Sequence, residues 1–295
     1  MKRILILGCG DVARRALPWL CQRFEVRALA RSAESAAALR ALGVVPVMGN
    51  LDTLRSLRRL AGLADIILHC APPQEQGADD LRTRHLLAAL ARGQSLARSL
   101  VYISTSGVYG DHAGAAVSEA APQRASTPRA RRRVAAEQRL RRFAITHGVR
   151  LSILRAPGIY AAERLSLARL QRGDPVLQAD EDVFTNHIHA DDLARALIAA
   201  MFRARGGRSY NISDDAQLKM GDYYDAMADI FALPRPPRAT RAECAQRLSP
   251  MMMSFMGESR RLDNQRMKAE LRLRLQWPDV LSGLQRIART QGRSA

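Results

Sequence analysis

The first 32 residues, MKRILILGCGDVARRALPWLCQRFEVRALARS, restrict the fold more than any other stretch of the chain. Arg3 to Leu7 is an apolar run long enough for a buried strand and too short to cross a membrane. Gly8-Cys9-Gly10-Asp11-Val12-Ala13 follows at once and matches the pattern G-x-G-x-x-A. Glycine at Gly8 permits a tight turn, glycine at Gly10 lets a pyrophosphate approach bare backbone, and the small Ala13 lets the next helix lie close on the strand. That helix is expected to begin near Asp11, with the Asp11 and Val12 amides and the helix dipole aimed at the phosphates. A second apolar strand, Val26 to Ala30, completes a β-α-β unit of the dinucleotide-binding kind. Pro18 lies inside the expected helix, where it removes a hydrogen bond and bends the axis.

The residue that ends the second strand selects the cofactor. NAD-binding units carry an acidic residue about twenty positions beyond the glycines to take the ribose hydroxyls. This chain has Arg31-Ser32 instead, and no acid appears before Glu34. A guanidinium fork beside a hydroxyl suits a 2′-phosphate by charge and by bidentate geometry. NADP(H) is therefore the expected cofactor and NAD the alternative, while a solvated surface arginine is the plainer explanation of the same residue.

The chain has 295 residues, 47% of them hydrophobic, which allows one large α/β domain with a smaller appendage. No apolar run reaches membrane length and no signal-peptide core precedes the first strand, so a cytoplasmic protein is expected. Cys9, Cys21, Cys70 and Cys244 are scattered, with no C-x-x-C pair to form a metal knuckle. The net charge of +18 raises the question of nucleic acid. Lys2, Lys219 and Lys268 are the only lysines, and the dense arginine runs, 129–142 and 260–274, fall in helix-like segments without interleaved aromatics. Solvated arginine-rich helix faces are the preferred reading over a nucleic-acid partner.

Further along, Ala33 to Leu42 forms a helix with Leu39 and Leu42 on one face, and Val44 to Met48 a third strand closed by Gly49-Asn50-Leu51-Asp52. Leu54, Leu57 and Leu60 give an amphipathic stretch. Asp65 to Ala71 is a fourth strand ended by Pro72-Pro73, and Asp80 to Ala91 a helix. Ser99 to Ser104 is a fifth strand, and Gly110 to Arg129 reads as an exposed loop. Val134 to Thr146 is helical, Arg150 to Arg155 a strand, Asp191 to Arg203 a helix and Ser209 to Ser213 a strand. Apolar strands separated by helix-length segments indicate a parallel sheet covered on both faces.

From Tyr102-Ile103-Ser104-Thr105-Ser106-Gly107-Val108-Tyr109-Gly110 onward, the sequence resembles an extended short-chain dehydrogenase/reductase of the nucleotide-sugar epimerase and dehydratase group. His69-Cys70-Ala71, the run 154–160, Asn186-His187-Ile188-His189-Ala190-Asp191-Asp192 and the segments 259–264 and 266–271 agree in order and spacing. The resemblance implies an α/β fold with a Rossmann-type doubly wound parallel sheet and a smaller mixed substrate lobe. It assigns residues 1–156 plus 180–213 to cofactor binding, and 157–179 plus 214–295 to the lobe. In that family a Ser or Thr of the fifth-strand motif works with a Tyr-x-x-x-Lys pair on the next helix. Here Thr105 takes the Ser/Thr place, while the tyrosine has become Arg129 and the lysine Arg133. No tyrosine lies between Tyr109 and Tyr160, and arginine cannot shuttle protons at neutral pH. The chain therefore resembles the atypical branch that keeps the fold and lacks the usual pair.

On this footing Thr105 is expected to orient a substrate oxygen, unless it merely caps a strand end, and Tyr109 is the nearest substitute acid, with packing as its plainer role. Gly8, Gly10, Asp11, Val12, Arg31, Ser32, Asn50, Leu51, His69, Cys70, Ala71, Ser104 and Arg133 are the expected cofactor contacts, with Asp52 as an alternative helix cap. Gly158, Ile159, Tyr160 and Arg164 open the lobe toward substrate. His187-x-His189-x-Asp191-Asp192 has a metal-like look but lacks a closing histidine, so no metal is expected. The run Met251 to Met256 is read as core packing, with a pliable pocket wall or a homodimer contact as alternatives. The expected function is an NADP(H)-preferring oxidoreductase or epimerase-dehydratase-like protein acting on a small carbonyl or hydroxyl compound, with a nucleotide sugar as one candidate. The alternative is a non-catalytic NADP(H)-binding redox sensor.

Overall fold

The computed structural model describes residues 2–93 and 95–292. Seven parallel strands form the central sheet: β1 (Arg3–Leu7), β2 (Glu25–Ala30), β3 (Val45–Met48), β4 (Ile66–His69), β5 (Ser99–Thr105), β6 (Arg150–Ala156) and β7 (Arg208–Asn211). Their spatial order is β7-β6-β5-β4-β1-β2-β3. The order reverses between β1 and β4, where Leu7 lies opposite His69. Open α/β sheets receive ligands at the carboxyl ends of their strands at such a reversal.

Successive residues of β1 feed opposite cores, as a strand buried on both faces requires. Ile4 and Ile6 join Ala13, Leu17 and Leu197 on one side; Leu5 and Leu7 join Leu57, Leu86 and Leu140 on the other. The first layer holds helices α1 (Asp11–Cys21) and α5 (Ala190–Arg203). The second holds α3 (Leu81–Leu90), α4 (Pro128–His147) and the 3-10 turn Leu54–Leu60. α2 (Ala33–Ala41) crosses from β2 to β3. Pro18 is accommodated within α1. Helix α4 has a strong start, with the Thr127 hydroxyl accepting from the Ala130 amide and Pro128 in the first turn, and it ends on left-handed Gly148.

A third core lies apart from the sheet. Tyr160, Leu170, Val176, Tyr223, Met227, Val280 and Leu284 pack between α6 (Met220–Ile230) and α7 (Val280–Gly292). Four sequence expectations change on contact with the structure. Leu42 is 45% exposed rather than packed beside Leu39, because the helix has ended. Strand β3 is a half-exposed edge, with Val45 at 50% and Met48 at 46% exposure. The loop 110–129 is tied in, since Ala116–Val117 pairs with Arg261–Leu262 and Val117 is buried. Met256 is buried against Leu177 and Cys244 while Met251 is 66% exposed, so the methionine run is only partly core. Among the described residues no helix is long and apolar enough to cross a membrane.

Candidate functional site

The loop between β1 and α1 sits at the reversal point. Gly8 has a φ of +83°, and a Cβ there would stand 2.5 Å from the Ala71 nitrogen, so only glycine lets the loop rest on the end of β4. Gly10 is the opposite case: a Cβ would meet nothing within 4 Å. It occupies the N-cap of α1 without a side-chain cap, so the first amides of the helix keep unpaired donors beside open space. Bare backbone, free amides and the positive end of a helix dipole fit the pyrophosphate of a dinucleotide.

Charge around this loop is balanced by residues that sequence reasoning did not assemble. The Asp11 carboxylate accepts from Arg15 at 2.8 Å and from Arg164 at 3.1 Å, and this pairing draws its pKa below the usual range despite the opposing effect of burial. Arg15 reaches on to Asp191 and Glu163, so one guanidinium joins α1, α5 and the start of the lobe. Arg164, expected at the substrate, is instead the partner of Asp11 and of the Ile159 carbonyl. Arg14 donates back to the Cys9 carbonyl at 3.3 Å and places a cation on the glycine loop. Its only sequence signal was an arginine directly after G-x-G-x-x-A.

At the next strand ends, Arg31 is exposed and makes no hydrogen bond or ion pair with any described residue. Ser32 is the N-cap of α2 in a reciprocal cap with Ser35, so its hydroxyl oxygen already accepts a helix amide. The Asn50 carboxamide accepts from Asp52 N–H at 3.0 Å and shapes the loop, and Leu51 is buried. Asp52 does not cap the following turn; Thr53 holds that place, and Asp52 is clamped by Arg82 at 2.6 and 2.9 Å. Arg82 also donates to the Pro72 carbonyl and so joins the loops after β3 and β4.

His69 is wholly buried beneath the loop. Thr83 gives its hydroxyl proton to Asp80 at 2.6 Å, so it accepts from the His69 Nε2–H at 3.0 Å, which leaves Nδ1 as an unpartnered acceptor. Burial lowers the His69 pKa to about 3, and the neutral ring supplies no proton at neutral pH. Only the chain beyond it, at Cys70 and Ala71, meets the glycine loop. Burial likewise pushes the Cys70 thiol up to about 12.

The end of β5 holds Thr105, whose oxygen accepts from Gly107 N–H at 3.2 Å and keeps its own proton for a further acceptor. Two expected site residues turn away from the cleft. The Ser104 hydroxyl is buried and donates to Glu137 at 2.6 Å, so it does not face a cofactor. The Tyr109 hydroxyl has no exposed surface: it donates to Asn211 Oδ1 at 2.6 Å and accepts from Arg155 at 2.9 Å. Burial raises its pKa, and the hydroxyl is turned to Asn211 and Arg155 and away from solvent. Both belong to a closed network in which fully buried Glu137 also accepts from Gln123 at 2.7 Å and from Arg155 at 2.7 and 3.1 Å. Arg133, in the lysine's place, donates to Tyr102 Oη at 2.9 Å and to the Ile103 carbonyl at 2.8 Å, with two of its nitrogens left over.

His187 and His189 do not converge on an ion. The His189 ring stacks on Trp277 at 3.8 Å and its Nδ1 caps α5, while His187 stacks on Tyr223 at 4.2 Å. Among the described residues no group of three or more His, Cys, Asp and Glu side chains is placed to hold a metal.

Known proteins share this fold. A conserved protein of unknown function from Silicibacter pomeroyi superposes with a TM-score of 0.80 at 29% identity, covering 98% of this chain and 99% of the other. UDP-glucuronic acid 4-epimerase from Bacillus cereus, solved with NAD, superposes with a TM-score of 0.74 at 16% identity over 98% and 99% of the two chains, a likeness of fold. A 4-hydroxy-2-methyl-3-oxo-4-farnesyl-3,4-dihydroquinoline-1-oxide ketoreductase from Stigmatella aurantiaca is 33% identical over 120 residues, 38% of this chain. The match takes in 35% of that relative's length. The pattern of one family runs from the Gly8 turn, through the Thr105 strand and α4, to the end of α5, matching residues 8–204, and the chain belongs to that family, the NAD(P)H-binding proteins.

Proposed function

We propose that the protein is an NADP(H)-preferring oxidoreductase acting on a carbonyl or hydroxyl group of a small molecule, in the manner of the epimerase and ketoreductase relatives. The observation that carries the reading is the open space over Gly10 at the unpaired start of α1, with Arg31, which makes no hydrogen bond or ion pair with any described residue, just past the end of the neighbouring strand β2. A bound nicotinamide nucleotide supplies or accepts the hydride. In this reading the Asp11 and Val12 amides and Arg14 hold the pyrophosphate, and Arg31 with Ser32 takes the 2′-phosphate. Asn50 and Leu51 border the adenine, Cys70 and Ala71 floor the site, and Arg133 holds the second ribose. The Thr105 hydroxyl orients the substrate oxygen. With Tyr109 enclosed, the proton comes from water or from the substrate itself. Residues 1–156 with 180–213 serve the cofactor, and 157–179 with 214–295 cover the substrate; the separate core around Tyr160 and Tyr223 supports that division.

Titration of NADPH and NADH into the purified protein tests the cofactor. Arg31→Ala is expected to weaken NADPH roughly tenfold, the range of one charge-assisted contact, and to leave NADH nearly unchanged. Tighter binding of NADH by the wild type would sink the preference. A second reading, a dinucleotide sensor without turnover, is favoured by the enclosure of the Tyr109 hydroxyl. Tight cofactor binding with no oxidation of NADPH across a panel of ketones, keto acids and nucleotide sugars would select it.

A further inference from the structure

We propose that the substrate carries its own oxyanion, a carboxylate or a phosphate, and that Arg129 is the receptor for it, together with whichever of the two free Arg133 nitrogens does not hold the ribose. This deepens the oxidoreductase reading and rests on it.

The two arginines stand one turn apart on α4, so their side chains are neighbours on one face. Ala130 fixes where that turn lies. A Cβ on Gly107 would be 3.7 Å from the Ala130 Cβ and 3.6 Å from Thr105 Oγ1, so the start of α4 rests on the end of β5 beside Thr105. From the other side, the Arg129 guanidinium carbon lies 4.5 Å from the centre of the Phe255 ring. The aromatic face holds the planar cation without neutralising it.

Neither arginine has a carboxylate. Arg129 makes no hydrogen bond or ion pair with any described residue. The acid nearest in effect, Glu258, gives one oxygen to Ser126 at 2.6 Å and the other to Arg260 at 2.8 Å. Arg133 is bonded to a phenol and a carbonyl, both neutral. Elsewhere on the helix Arg139 is matched by the Asp79 carboxylate, while Arg132 donates to the Gly77 carbonyl and Arg141 to the Gly207 carbonyl and Ser209, neutral groups that lie away from the end of β5. Desolvation and the like charges of Arg133 and Arg132 lower the Arg129 pKa, against an opposing pull from Glu258, although part of the side chain reaches solvent. The positive end of the α4 dipole adds to the same field.

A guanidinium stays charged through the neutral range and forks onto two oxygens. A carboxylate or phosphate seated on Arg129 and Arg133 would bring an adjacent carbonyl toward the Thr105 hydroxyl. Arg129 binds and orients in this role; it moves no proton.

Isothermal titration of oxamate, inorganic phosphate and the uncharged acetamide into the protein with and without NADPH tests the inference. One of the two anions is expected to bind and acetamide to bind far more weakly. A preference for oxamate indicates a keto acid, and a preference for phosphate a phosphorylated ketone. Arg129→Gln is expected to weaken the anion roughly tenfold or more, Arg129→Lys less, and Arg58→Gln, on the exposed face of the 3-10 turn, not at all. A thermal melt of each variant reports its folding; should Arg129→Gln fail to fold, Arg129→Lys carries the comparison. Equal anion affinity in wild type and a folded Arg129 variant overturns the inference, as does failure of both anions to bind a protein that still takes up NADPH. Anion binding without turnover leaves the inference standing and removes the oxidoreductase reading.

Discussion

The glycine loop and the start of α4 both lie at the carboxyl ends of sheet strands and are built on opposite plans. At the loop the side-chain charges cancel: Asp11 is matched by Arg15 and Arg164, and what stays unpaired is backbone, the first amides of α1 beside Gly10. At α4 the backbone is capped by Thr127, and what stays unpaired is side-chain charge, on Arg129 and Arg133. The loop can take any dinucleotide phosphate, because amides discriminate little among anions. The helix start offers guanidinium forks instead, which select by the shape and charge of an oxyanion.

The largest effect expected on that comparison comes from Gly8. Gly8→Ala adds a Cβ at 2.5 Å from backbone and demands a φ of +83° from an L residue, so loss of the folded loop is expected in a melt. Gly10→Ala is the control in the same loop. Its φ of −86° suits any residue and the space is open, so the melt should not move while NADPH affinity falls tenfold or more. Equal losses of stability in the two variants would break the distinction between a structural and a binding glycine.

The network behind α4 comes next. Glu137→Ala strands buried Arg155 and the hydroxyl of Ser104, and about 3–5 kcal/mol of stability should be lost in denaturant unfolding. A loss below 1 kcal/mol would mean that water replaces the carboxylate, and that the network is softer than the fold implies.

The smallest effect concerns pH. Asp214 is buried, its Oδ2 has no partner, and burial with help from Asp279 and Asp215 raises its pKa to about 8. The folded chain therefore holds a proton that the unfolded chain has released above about pH 4. The stabilisation is complete below that pH and is lost as pH rises to about 8. Asp214→Asn should melt close to wild type at pH 5 and a few degrees higher at pH 8. An identical pH dependence in both proteins would rule Asp214 out as the titrating group.

What was legible in the sequence was local. The apolar strands, the Gly8 turn, the start of α1 and the cap at Thr105 each depend on neighbours a few residues away. Ser104 and Tyr109 were assigned to the cleft because their motif lies at its edge, yet Glu137 is 33 residues from Ser104 and Asn211 is 102 from Tyr109. Spacing cannot reveal such partners. The pairing of Asp11 with Arg164 across 153 residues was hidden for the same reason, and in an arginine-rich chain no single guanidinium stands out. Arg31 was legible because its meaning lay in its position at the end of β2 and in the acid missing there.

The free rim of the sheet carries one more consequence. Gly49 N–H donates to the Ala30 carbonyl at 2.9 Å, and Pro46 lies opposite Ala28. Amides alternate sides along a strand, so Val47 turns its N–H inward and the nitrogen of Pro46 faces out. That nitrogen carries no hydrogen, which leaves a gap in the row of donors that this edge could offer to another extended chain. With Val45 and Met48 half-exposed beside it, the proline blunts this edge of the sheet, the one opposite β7, as a template for a further strand.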